Sequence, residues 1–136
     1  APDAEQAAFA ANLLSAVLGA CTAAVVQLAA SELLARASPS APRFRGLAAG
    51  LSAALWAAHP TVWLYSLQAE VFALNNFLVS LLIWLFLLLL RPEAPQLPLA
   101  CAGALTIGLA LCNQHTSILF SAPLVLGVLV IDGFGK

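Results

Sequence analysis

The chain has 136 residues, of which 62% are apolar and only 8% charged, with a net charge of −1 and a mean hydropathy of +0.99. A soluble domain carries roughly 25% charged residues and about 45–50% apolar ones, so a water-soluble globule and a disordered chain are both excluded. The near-neutral balance excludes a nucleic-acid partner. The composition is that of an all-α, polytopic membrane helix bundle.

Five apolar segments follow one another, at about 9–34, 46–67, 71–90, 97–111 and 116–131. A spanning helix needs ~20 largely apolar residues. The first segment intersperses Ser15, Gly19, Cys21 and Thr22, small residues that let membrane helices approach closely. The second carries Trp56, His59, Pro60, Trp63 and Tyr65 toward its end. Trp and Tyr favour the membrane interface, and Pro60 predicts a kink or break; His59 is expected to cap it. The third ends in an unbroken run from Leu81 to Leu90. The fourth is short: fifteen residues cover ~22 Å, less than the ~30 Å hydrocarbon core, unless it extends back through Pro95 and Gln96.

The connections alternate in charge. Arg36, Arg43 and Arg45 follow the first segment, Arg91 follows the third, and Lys136 closes the chain. If all five segments span, every Lys and Arg lies on one side, which the positive-inside rule puts in the cytosol. Glu32 is expected to be solvated or to pair with Arg36, four residues on. Cys21, Cys101 and Cys112 read as packing cysteines. On a shared helix Cys101 and Cys112 stand ~16 Å apart, too far for a disulfide. No metal-ligand spacing, Gly-rich phosphate loop or nucleophile elbow occurs. The acidic start, Asp3 and Glu5 with no preceding basic region, is unlike a signal peptide and reads as an internal or processed beginning.

Two polar clusters remain, both on the side away from the basic residues. Gln68-Ala-Glu-Val-Phe-Ala-Leu-Asn-Asn76 contains Glu70, Asn75 and Asn76. Asn113-Gln-His-Thr116 forms a polar island between two apolar segments. Ionisable residues at membrane depth usually face a cavity or a partner. Glu70 has two readings: a cavity residue that binds a polar group or takes a proton, or a first-turn residue steadied by the helix dipole. The island likewise reads as a plain polar turn, or as a ligand-lining turn held below the surface by short flanking helices, with His115 and carboxamides suited to sugar hydroxyls or a phosphate.

The stretches Ala69-Glu-Val-Phe-Ala-Leu-Asn-Asn76 and Leu111-Cys-Asn-Gln-His-Thr116 resemble a family of multi-spanning endoplasmic-reticulum protein O-mannosyltransferases, which modify IPT domains of plexins and of hepatocyte-growth-factor-receptor-type receptors. The resemblance covers nearly the whole chain in order. It implies a GT-C-type fold in the endoplasmic-reticulum membrane, dolichyl-phosphate mannose as donor, Ser/Thr hydroxyls of receptor ectodomains as acceptors, and no cofactor or metal. It also implies that Glu70 lies near the donor site. Asn75, Asn76, Asn113, Gln114, His115 and Thr116 match motif residues and are expected to help bind the donor. The family's acidic base motif precedes the first helix present here, so the chain corresponds to helices two to six; Asp3 and Glu5 are not assigned that role, and the chain alone is expected to be inactive. A membrane transporter, suggested by the Pro-broken helix and intramembrane polar residues, and a non-catalytic membrane subunit are the alternatives.

Overall fold

A computed structural model describes residues 3–37, 39, 42–68 and 71–134, with side chains through Val130. The described elements are helices: α1 (Ala4–Ala37), α2 (Pro42–Ala58), α3 (Pro60–Ser66), α4 (Val71–Leu89), α5 (Gln96–Asn113), one 3-10 turn (His115–Ser117) and α6 (Ile118–Phe134). Helices α1, α4 and α5 are long and apolar enough to cross a bilayer. Helices α2 and α3 make a further candidate span bent by 68°, and His115–Val130 forms a shorter apolar helix. Of the five apolar segments, three thus match helices of spanning length, one a bent helix pair and one a shorter apolar helix.

Local chemistry accounts for the boundaries. Proline opens both α2 and α3, where a missing N–H costs nothing because the first-turn donors have no helical partner. Pro60 also drives the preceding residue out of the helical region: His59 sits at φ −63°, ψ 128°. That single residue breaks the second span. The His59 side chain makes no capping hydrogen bond, contrary to the role expected for it. Its backbone C=O instead accepts the Trp63 N–H at 2.9 Å. Helix α5 runs from Gln96 to Asn113, eighteen residues or ~27 Å, so the fourth segment is not short. Pro98 falls in its first turn, where proline is tolerated.

Helix α1 packs against α2, α3 and α4, and α4 packs against α5 and α6. The contact faces set small residues against Val25 of α1 and the buried Leu78, Leu82, Leu85 and Leu87 of α4. Ser15, Gly19 and Thr22 are buried on α1, Ala49 and Ala53 on α2, Ala73 and Ser80 on α4, and Thr106 and Ala110 on α5. Apolar solvent gives helices no hydrophobic reason to associate, so close backbone approach supplies the attraction. The hydroxyls are kept from costing anything. Thr22, Ser66, Thr106 and Ser121 each donate to the carbonyl four residues back, at 2.7 or 2.8 Å, as Ser and Thr do in apolar helices.

Helices α1 and α3 approach closely at Gly19. A Cβ placed on Gly19 would lie 2.6 Å from Ser66 Oγ and 2.8 Å from its Cβ. Gly127 of α6 similarly admits the Phe86 ring, 3.2 Å from where its Cβ would be. Helix α1 spans 34 residues, or ~51 Å. Fitting that length inside a ~30 Å core would need a tilt of roughly 54°, beyond the 0–40° seen for spanning helices. Its buried positions begin at Ser15, so the stretch before it continues past the other helices.

The opposite end of α1 is tied to α4 by charge. Arg91 donates two hydrogen bonds to the Glu32 carboxylate, one of them Nε to Oε2 at 3.0 Å. Arg36 donates to the Leu87 C=O at the last turn of α4, where orphan carbonyls need donors. The expected Glu32–Arg36 pair is thus corrected: Glu32 meets Arg91 just past α4 and Arg36 reaches the Leu87 C=O, because α1 and α4 run parallel and bring their C-terminal ends together. The Glu32 side chain is 16% exposed and that of Arg91 53%. Glu32→Ala leaves the guanidinium without its partner, and we expect about 1–2 kcal/mol of destabilisation, between exposed and buried pairs. Exchanging the two residues should restore part of it. Thermal unfolding in detergent checks both. Cys21, Cys101 and Cys112 are free and exposed; they face outward rather than filling the helix contacts, as had been expected of them.

Candidate polar site at the head of α4

Because α4 and α5 are antiparallel neighbours, the first turn of α4 meets the last turn of α5. The two polar clusters, far apart in sequence, converge there. Asn113 Nδ2 donates to the Val71 C=O at 3.0 Å. Ser117 Oγ lies 2.6 Å from Asn75 Oδ1 and 3.2 Å from the Ala110 C=O. A hydroxyl has one proton to give, and the shorter contact takes it. Val71 and Asn75 are one turn apart on α4, so both tethers grip the same face.

Ser117 is fully buried. Among the described buried hydroxyls it is set apart, because its short bond crosses to another helix rather than closing on its own. Sequence reading stopped the island at Thr116 and missed it. The available signal was one further polar residue in register, since Ser117 stands four positions after Asn113. Tyr65 of α3 and Phe72 in the first turn of α4 form a tilted aromatic pair, with ring centroids 4.7 Å apart and planes at 43°.

The remaining expected residues divide. Gln114 links the helices in extended conformation, φ −152°, ψ 119°. Its N–H donates to the Ala110 C=O at 2.8 Å, and its C=O accepts from the Ser117 N–H at 3.0 Å. Its side-chain Oε1 is buried with no hydrogen-bond partner. Asn76 is half-buried, and His115 and Thr116 are exposed on the 3-10 turn. Glu70 lies outside the described residues. The described cluster is therefore neutral, a set of carboxamides and one hydroxyl with His115 at its edge. Such groups hold hydroxyls and phosphate oxygens by hydrogen bonding. Among the described residues no three His, Cys, Asp or Glu could share a metal ion.

Arg36 and Arg91 stand at the other end. Arg36 bonds at Leu87 and Arg91 bonds Glu32, whereas the polar cluster grips Val71 and Asn75. Sixteen residues of α4 between Val71 and Leu87 separate the two levels by ~24 Å.

Comparison with known proteins matches these features to one family. The family model "Protein O-mannosyl-transferase TMEM260 N-terminal domain" matches residues 1–133. The chain belongs to this family. The mouse protein O-mannosyl-transferase TMEM260 is 33% identical over 115 residues, 83% of this chain and 15% of the relative. A Dictyostelium discoideum protein of the same name is 29% identical over 94 residues, 61% of this chain and 12% of the relative. The chain thus spans about 15% of the length of the mouse relative it matches. No solved structure matches it. Within the O-mannosyl-transferase family, both polar clusters fall inside the matched N-terminal domain.

Proposed function

We propose that this chain forms part of a membrane-embedded protein O-mannosyltransferase, helping to hold the lipid-linked donor dolichyl-phosphate mannose. The acceptors are Ser/Thr hydroxyls of secretory-pathway receptor ectodomains, IPT domains among them. The observation that carries this reading is the meeting of the two motif segments, through Ser117 with Asn75 and Asn113 with Val71, at one end of the bundle. The opposite end carries Arg36 and Arg91. By the positive-inside rule the polar site then faces the lumen of the endoplasmic reticulum.

In this reaction the acceptor oxygen attacks the anomeric carbon and forms the new glycosidic bond. The anomeric C–O bond to phosphate breaks, dolichyl phosphate departs with its electron pair, and a carboxylate base takes the hydroxyl proton. Asn75, Asn76, Asn113, Gln114, His115 and Thr116 supply hydrogen bonds to the donor's polar groups. Glu70, which precedes α4, is the candidate carboxylate of this chain.

The test is sugar transfer. Membranes carrying the longest natural protein that contains these residues, and separately the 136-residue chain, receive labelled dolichyl-phosphate mannose and an IPT-domain acceptor. Label is expected with the longer protein and not with the chain alone. Label with neither would overturn the reading; label with both would place the base within this chain. Glu70→Gln should lower transfer at least tenfold with unchanged expression. Wild-type transfer in that variant would remove Glu70 from the site.

A further inference from the structure

Two adjoining hollows open at the end of the bundle that carries Arg91. The first is a cleft of about 170 Å³ between α4, α5 and α6, and every residue lining it is apolar, Leu82, Phe86, Leu89, Gly103, Ile107 and Val128 among them. On α4 it runs from Leu82 to Leu89, ~10 Å along the helix. The second, of about 610 Å³, lies at the connection from α4 to α5 and is lined by Arg91 and Glu93 together with Leu88 and Leu99. Leu88 adjoins Leu89 on α4 and Leu99 adjoins Ala100 on α5, so the charged hollow sits at the mouth of the apolar cleft. The connection is held in place: Gln96 Nε2 donates to the Leu89 and Arg91 C=O groups, each at 3.3 Å, and the Ala94 N–H donates to the Arg91 C=O at 3.1 Å.

We infer that the two hollows hold one phospholipid of the cytosolic leaflet, a phosphatidylethanolamine, with an acyl chain in the cleft, its phosphate on Arg91 and its ammonium on Glu93. The inference goes beyond the mannosyl-transfer reading and does not depend on it. An apolar cavity of about 150 Å³ stays dry and takes a benzene-sized hydrocarbon, so the cleft suits about six carbons of a lipid chain. Arg91 directly follows the apolar run of α4, which puts its guanidinium at headgroup level, on the side the positive-inside rule assigns to the cytosol. Its side chain is 53% exposed. Two of its five N–H groups go to Glu32, and among the described residues the other three have no partner, so a phosphate oxygen can join without displacing Glu32. The two charges lining the mouth are of opposite sign, and Glu32 adds a second carboxylate beside Arg91. A headgroup that carries both a phosphate and an ammonium complements this arrangement better than a purely anionic one.

The experiment titrates the longest natural protein that contains these residues, in mild detergent, with phosphatidylethanolamine or phosphatidylglycerol, and counts bound lipid by native mass spectrometry. Wild type should hold one phosphatidylethanolamine, at least about threefold more tightly than phosphatidylglycerol, and Glu93→Gln should erase that preference. Gly103→Leu fills the cleft. A Cβ at Gly103 meets no atom within 4 Å and leucine is the better helix former, so the variant should fold as wild type does while retaining about fivefold less lipid or worse. Arg91→Gln should weaken binding about tenfold, the worth of a charge-assisted hydrogen bond. Glu32→Gln separates this from a packing effect: it breaks the same ion pair but leaves Arg91 its charge, so the lipid should bind at least as well as to wild type. Equal losses in Arg91→Gln and Glu32→Gln overturn the inference, as do full retention in Gly103→Leu and equal binding of the two lipids by wild type. A wild-type protein that holds no lipid, or a Gly103→Leu protein that loses a subunit, would mean that a helix fills the cleft and would overturn it too.

Discussion

Gly19→Ala is expected to destabilise the bundle by about 2–3 kcal/mol, the upper part of the range for overpacked sites, although alanine is the better helix former by about 1 kcal/mol. The added Cβ would stand 2.6 Å from Ser66 Oγ and 2.8 Å from Ser66 Cβ, while Ser66 Cα remains at an ordinary 3.9 Å. The obstruction is thus the Ser66 side chain and not its backbone. This yields an asymmetric rescue. Ser66→Gly should restore most of the lost stability in the Gly19→Ala background, whereas Ser66→Ala should not, because it leaves the Cβ in place. Ser66 is the last residue of α3, where glycine costs little. A double-mutant cycle read by unfolding in detergent separates these outcomes. Equal rescue by alanine and glycine would show that the α1–α3 approach is looser than this geometry.

Ser117→Leu is expected to abolish transfer, by at least a hundredfold, in the longest natural protein that contains these residues. Ser117 has no exposed surface, so three added carbons have nowhere to go without moving the α5–α6 turn off α4. That movement would separate Asn113 and Gln114 from the head of α4, and misplacement of about 1 Å at a site can cost 100-fold in rate. Ser117→Ala is the milder companion. It deletes the bond to Asn75 Oδ1 and should cost about 1 kcal/mol of stability, in keeping with interhelical hydrogen bonds in membranes. Transfer should then fall about fivefold. If Ser117→Leu retained full transfer, the junction would not be holding the site.

The helix content and membrane nature of this chain were legible before any coordinates, because apolar runs of spanning length have few alternatives in lipid. Pro60 likewise announced its break, since the clash it imposes on His59 is local and needs no tertiary partner. Both motif segments could be picked out as polar islands in an apolar background. The boundaries were less legible. Helix α1 begins at Ala4 rather than near residue 9, as its Ala-, Glu- and Gln-rich start forms helix without being strongly apolar. Helix α5 reaches Asn113, a polar residue that apolar counting had placed in the turn.

Partner identity was the part that linear reading could not reach. Glu32 has Arg36 one turn away, and the rule for helical pairs favours it. The parallel packing of α1 and α4 instead delivers Arg91, 59 residues on, in two hydrogen bonds. Ser117 looks in sequence like any serine next to an apolar helix, and its importance comes only from Asn75 arriving 2.6 Å away. Gly19 is one of eight glycines, and only the crossing of α3 makes it intolerant of a methyl group. Hydropathy and proline stereochemistry act over a few residues and are written in the chain. Which small face meets which, and which donor finds which acceptor, follow from how the helices register against one another, and that register is set only when the whole bundle closes.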